Sequence, residues 1–181
     1  YKGQIVTMTY PLIGNYGIND EDRESAGIHL EGFIVKEYQA HPSNWRMTKS
    51  LKSFLDDHGK IGIEGIDTRA LTRRLRMAGA MKGIISTESA NLESLLATLR
   101  DYPGLVGRDL VREVTCSTPY QWERNAVRAD GIAPDKPQHK LRVAVVDCGV
   151  KYNILRLLEK NGCEVVVMPA FSTGRVRAKR T

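Results

Sequence analysis

The stretch LRVAVVDCGVKYNILRLLEKNGCEVVVMPA, residues 141–170, reads as strand, glycine turn, helix and strand. LRVAVVD is nearly all apolar up to Asp147, the pattern of a strand buried on both faces of a sheet. Gly149 frees the chain to turn into a helix. That helix directs Ile154, Leu157, Leu158 and Asn161 inward, and Gly162 ends it. CEVVVM then returns as a parallel neighbour of the first strand. Such a unit opens a parallel α/β domain. Residues 171–181, FSTGRVRAKRT, carry no apolar helical stripe. Two strands and one helix leave a sheet edge and face uncovered. This part is therefore expected to be mobile, to pair with another chain or to aggregate.

Upstream, the pattern mixes strands and helices. QIVTMT (residues 4–9), LEGFIVKEY (30–38) and AMKGIIS (80–86) read as strands, with IGIEGI (61–66) a short extended stretch. YPLIGNYGIND is a loop, because Pro11, Gly14, Asn15, Gly17, Asn19 and Asp20 suit no regular element. Thr48 is placed to cap a helix whose inner face is Leu51, Phe54, Leu55 and His58, with Gly59 ending it. Asp67 caps TRALTRRLRMA. Its inner stripe is Leu71, Leu75 and Ala78, and Gly79 is the expected left-handed stop. A third helix places Leu92, Leu95, Leu96 and Leu99 inward and stops before Pro103. Residues 104–140 lose apolar periodicity and collect Pro119, Gly131, Pro134 and Pro137, so a linker with a possible hairpin is expected there. The fold class is α/β. An α+β domain spans residues 1–130, a linker 131–140, the β-α-β unit 141–170 and a basic tail 171–181.

Composition narrows the classes of function. The chain has 181 residues, 41% of them hydrophobic, with a formal net charge of +6. Arg175, Arg177, Lys179 and Arg180 supply four of those positives, leaving +2 on residues 1–170. No aromatic residues interleave with this basic tail to stack bases, so nucleic acid is not an expected partner. No apolar run approaches the ~20 residues of a membrane span. Tyr1 leads straight into a strand pattern without Met, so a missing upstream portion is expected. Cys116, Cys148 and Cys163 are odd in number and match no metal spacing, which suggests reduced thiols in the cytoplasm.

Candidate chemistry centres on Asp147–Cys148–Gly149, at the carboxyl end of a parallel strand, where α/β sheets place their sites. Two readings stay open: a structural turn with a capping acid, or an anion site on the helix N–H groups. Neither a three-glycine dinucleotide fingerprint nor a Gly-Lys-Ser/Thr loop is present. Cys148 lacks the small flanking residues of a nucleophile elbow, and Asp147 beside it would raise its pKa. Cys163 belongs to the core. His29, His41, His58 and His139 form no i,i+4 pair, and no metal site is expected. Arg69, Arg73, Arg74 and Arg76 read as a solvated helix face, a phosphate contact or an interface with an acidic partner. The polar loop at residues 15–24 reads as solvated surface or as a seam between domains or subunits.

Four motifs, QIVTMTYPLIGNYGIND, GIDTRALTRRLR, YPGLVGRDLVREVT and VVDCGVKYNILRLL, occur in this order. Together they resemble the small, glutamine-hydrolysing subunit of carbamoyl phosphate synthetase, over about residues 4–170. The resemblance implies a small-subunit N-terminal α+β domain followed by the first β-α-β of a class I glutamine amidotransferase sheet. It implies an enzyme that hydrolyses glutamine through a Cys-His-Glu triad and a thioester. Ammonia then passes to a large subunit, which uses bicarbonate, ATP and Mg to make carbamoyl phosphate for arginine and pyrimidine synthesis. The partners implied are that large subunit, in a cytoplasmic heterodimer, and glutamine.

The departures are equally specific. The family's nucleophile sits in a Gly-x-Cys-x-Gly elbow, which residues 1–181 do not contain. Its His, Glu and glycine-rich oxyanion loop lie beyond the matched stretch, and a glutamine-binding segment would precede Tyr1. Asp147, Gly149, Lys151 and Asn153 match the first strand-loop-helix of the family as scaffold. No catalytic, cofactor or metal residue is carried over. The expectation is a piece of the small subunit that is inactive alone. The alternative is a non-catalytic module that docks on the large subunit.

Overall fold

A computed structural model describes residues 1–122 and 141–173. The chain divides into two compact units, one of residues 1–20 and 27–108, the other of residues 21–26 and 109 onward. The linker expected at 131–140, most of the stretch 118–140 in which a hairpin is expected, and the tail from residue 174 lie outside the described residues. Residues 109–122, grouped by their sequence with the first domain, pack in the second unit.

The first unit holds a three-stranded parallel sheet in the order β1 (Ile5–Thr7), β2 (Gly32–Ile34), β3 (Ile61–Ile63). The ladders are shorter than the β-rich runs that contain them. Past Thr7 the pairing thins to the Met8 N–H donating to the Ile34 carbonyl and to single bridges at Ile13–Tyr38 and Ile18–Lys49. Pro11 lacks a donor, and Gly14 and Gly17 take φ of 97° and 66°, which a regular strand does not accommodate.

The three long helices of this unit start on side-chain caps. Ser50 caps α1 (Leu51–Asp57) by accepting from the Ser53 N–H at 3.1 Å. Thr48, the expected cap, instead donates its hydroxyl to the Ile18 carbonyl at 2.9 Å. Asp67 caps α2 (Thr68–Ala78) as its sequence indicates, accepting from the Ala70 N–H at 2.9 Å. Leu71 and Leu75 are half-buried, but Ala78 is exposed and Thr68 is the buried residue. Gly79 has positive φ, yet its ψ of −163° is extended rather than left-handed helical. Asn91 caps α3 (Leu92–Asp101), where Leu95 and Leu99 are half-buried while Leu92 and Leu96 stay exposed. Residues 80–86 form no strand. They have the propensity but no ladder partner. The Ile85 side chain lies against Gly32 of β2, where an added Cβ would come within 2.9 Å of it.

The second unit contains α4 (Val111–Val114), β4 (Tyr120–Gln121), β5 (Leu141–Asp147), α5 (Tyr152–Lys160) and β6 (Cys163–Pro169). Its sheet order is β4-β6-β5. β5 and β6 run parallel, from Leu141 opposite Cys163 to Asp147 opposite Pro169, while β4 is antiparallel to β6. The strand buried on both faces is therefore β6, with Val165, Val166, Val167 and Met168 all in the core. β5 pairs on one side only among the described residues, and Leu141 and Val146 are exposed, contrary to the burial its apolar run suggests. α5 is also rotated from its expected phase. Leu155 is fully buried, worth about 1.5–3 kcal/mol, whereas Ile154, Leu157 and Asn161 are exposed. Leu155, Cys163, Val165 and Val167 form the core, flanked by Tyr120, Trp122, Val143, Val145, Tyr152 and Leu158 among others.

Candidate functional site

The carboxyl ends of β5 and β6 are where a parallel sheet presents a site. Here the chain closes that end itself. Asp147 is buried, and its Oδ1 accepts from the N–H groups of Gly149 and Val150, each at 2.9 Å. Its Oδ2 accepts from the Cys116 N–H at 2.7 Å. One residue earlier, the Thr115 hydroxyl accepts from the Ala170 N–H just past β6, at 2.9 Å. Thr115 and Cys116 thus fasten one strand end each. Gly149 turns the chain with φ of 93°, and a Cβ there would meet Val114 at 3.3 Å. Of the two readings open for Asp147, the turn with an acid satisfying backbone donors is the one present. The acid holds the turn, however, and not the helix that follows.

The amino end of α5 is occupied as well. Lys151 at its N-cap makes no side-chain cap bond. Glu24 supplies the missing acceptors from far away in sequence. Its Oε2 accepts from the Asn153 N–H at 2.8 Å and its carbonyl from the Tyr152 N–H at 3.0 Å. Its Oε1 pairs with Arg156 at 3.4 Å, and Arg156 also donates to the Arg23 carbonyl. A carboxylate on the first-turn donors, next to a cation one turn along, is what the helix dipole favours. This is how the acidic half of the residue 15–24 loop is used. Its distance in sequence hides it, and only the acidic run itself signals it.

The three thiols differ in setting. Cys163 is buried in the core and Cys148 is exposed. Burial pushes the Cys116 thiol up, and the neighbouring Asp147 adds to that. Burial likewise pushes the Tyr120 phenol up to about 12, aided by Tyr152, Asp147 and Cys116. A raised thiol is a poor nucleophile. The Trp122 ring leans on Tyr152 at 5.1 Å, and its buried indole N–H has no partner among the described residues. β4, which carries Tyr120, escaped notice inside a Pro-rich stretch, although alternation of Tyr120 with Trp122 was its signal.

The remaining candidates lie apart. Arg69, Arg73, Arg74 and Arg76 are all exposed on α2. His58 closes α1, with its Nδ1 2.8 Å from the Phe54 carbonyl. Among the described residues, no group of three or more His, Cys, Asp and Glu is placed to hold a metal, and no helix is long and apolar enough to cross a membrane.

Comparison with known proteins finds relatives for this chain. Residues 1–85 match the family model described as carbamoyl-phosphate synthase small chain, CPSase domain. The small chain of Syntrophotalea carbinolica is 52% identical over 94% of this chain and 46% of its own length. That of Nitratidesulfovibrio vulgaris is 49% identical over 98% of this chain and 49% of its own. That of a Nostoc species is 49% identical over 94% of this chain and 45% of its own. The chain spans about half the length of the curated relatives it matches. Over nearly all of its residues the chain is thus similar to proteins named as carbamoyl-phosphate synthase small chains.

Proposed function

We propose that these residues serve in the small chain of a glutamine-dependent carbamoyl phosphate synthase, in the cytoplasm. That chain hydrolyses glutamine and hands ammonia to a large chain, which spends ATP, with magnesium, on bicarbonate. The observation that carries this reading is the roughly half identity over nearly the whole chain to proteins named as that small chain.

Within that activity, residues 1–181 supply scaffold. The unit from residue 141 is the first β-α-β of the amidotransferase sheet, and the first unit is the small chain's own domain. Glutamine hydrolysis through a thioester needs an activated thiolate and an oxyanion hole. Of Cys116, Cys148 and Cys163 only Cys148 is exposed, and no Gly-x-Cys-x-Gly elbow holds it. Asp147, the acid nearest the strand end, is fully engaged with backbone donors.

The exposed arginines of α2 favour a second reading, a non-catalytic module that docks on the large chain. One assay separates the two from a self-sufficient enzyme. The purified 181-residue chain is given glutamine, with and without a thiol alkylating agent, and ammonia release is followed. No release is expected. Release that the alkylating agent abolishes would overturn the scaffold reading.

A further inference from the structure

The arginine face of α2 has no task inside its own unit. Arg69, Arg73 and Arg76 stand at i, i+4 and i+7, so they form one stripe about 10 Å long. Leu71 and Leu75, which are half-buried, carry the packing of the helix instead. Thr68–Ala78 contains no Asp or Glu, and the cap Asp67 is engaged with the Ala70 N–H. Among the described residues, Arg69, Arg73, Arg74 and Arg76 have no ion pair or side-chain hydrogen bond. Elsewhere in the same unit, charged side chains do find partners: Lys2 and Lys60 on Glu31, Lys49 on Asp57, Lys52 on Asp56. Like charges one turn apart weaken a helix rather than support it. The stripe therefore works against the element that bears it.

We infer that this face is a docking surface for an acidic protein surface. Charge complementarity selects the occupant: three guanidiniums in line, with Arg74 beside them, call for carboxylates spaced about a helical turn apart. Residue type selects protein over nucleic acid. Met77 is 87% exposed on the same helix, and Arg and Met are enriched where proteins meet, whereas Lys, absent from this helix, is depleted there. The helix has no aromatic ring for bases to stack on. In naming the partner as the synthase large chain, the inference rests on the function proposed above.

The test measures binding of the purified chain to that large chain at low and high salt. Wild type is compared with R69E/R73E/R76E and with R69K/R73K/R76K, and circular dichroism confirms folding of each. The reversal is expected to weaken binding on the order of 10–100-fold at low salt, and the wild-type interaction to fade as salt rises. The lysine variant keeps charge and loses the bidentate fork, so it should fall between the two. Undiminished binding by both variants overturns the inference and leaves the function standing. No binding by wild type overturns the proposed partner and the inference with it. A fluorescent single-stranded oligonucleotide that binds wild type as tightly as the large chain, and loses the reversal variant, overturns the choice of protein.

Discussion

Asp147 does the most bonding for its size. One buried carboxylate takes three backbone N–H groups, two from its own turn and one from residue 116. Hydrogen bonds to a charged group contribute about 1.5–3 kcal/mol each and do not add fully, and their loss leaves buried donors unpaired. Asp147→Ala is therefore expected to destabilise the second unit by about 2–4 kcal/mol. Urea unfolding followed by fluorescence would report it, because Trp122 sits against that core while Trp45 is 91% exposed. An unchanged midpoint would remove Asp147 from its structural role. Glu31 works through charge instead. The Lys60 ammonium, aided by Lys2, holds its carboxyl at about 2, well below the usual 4.5. A carboxyl depressed in the folded state stabilises the fold above its unfolded pKa, and that contribution is lost as pH falls from about 4.5 through about 2. Glu31 is 41% exposed, so solvent screens the pair and the effect is modest. Glu31→Gln should flatten the acid limb of the stability profile in that window and nowhere else. An acid limb identical to wild type would rule the pair out as its cause.

Among the elements, helices with strong local signals are legible from residues alone, and pairing is not. Asp67 and the TRALTRRLRMA pattern place α2 because cap and helix lie within a few residues of each other. The β5-α5-β6 unit is legible for the same reason: strand, glycine turn and helix follow one another without interruption. Misreadings arise where a distant partner decides. NILRLL offers apolar residues on more than one side, and it is contact with β6 that buries Leu155 rather than Ile154 or Leu157. AMKGIIS has strand propensity but finds no ladder, since β-propensity measures fit to a neighbour rather than a backbone preference. The site follows the same rule. The acid at the strand end is visible in DCG, whereas its partner Cys116 lies 31 residues away and the α5 cap Glu24 lies 129 residues from Asn153. Neither separation leaves a pattern in a single sequence.

At the scale of the whole molecule, the weak place is the free side of β5. This seven-residue strand bonds to β6 alone among the described residues, so its other row of N–H and C=O groups is open. Leu141 at 66% and Val146 at 39% exposure sit on the same strand, and Ile154 and Leu157 lie exposed on the helix that follows. An open ladder beside exposed apolar side chains is a template for a further strand. Arg142 is the one charge within the strand before Asp147, and it is engaged with Glu164 of β6 at 3.2 Å. The edge thus lacks the free charge that commonly blunts such strands. The 181-residue chain is expected to self-associate as concentration rises, and sedimentation would show a shift from monomer to larger species. Val146→Lys places a charge on the edge strand without touching Asp147 or the Leu155 core, so it should return the chain toward monomer at the same concentration. If wild type stays monomeric while Val146→Lys behaves identically, the edge is already covered and the open ladder is not a docking template. If wild type associates and the lysine does not disperse it, association runs through another face. Pairing of one α2 arginine stripe with another is then excluded by its own charge, since two copies of it would repel.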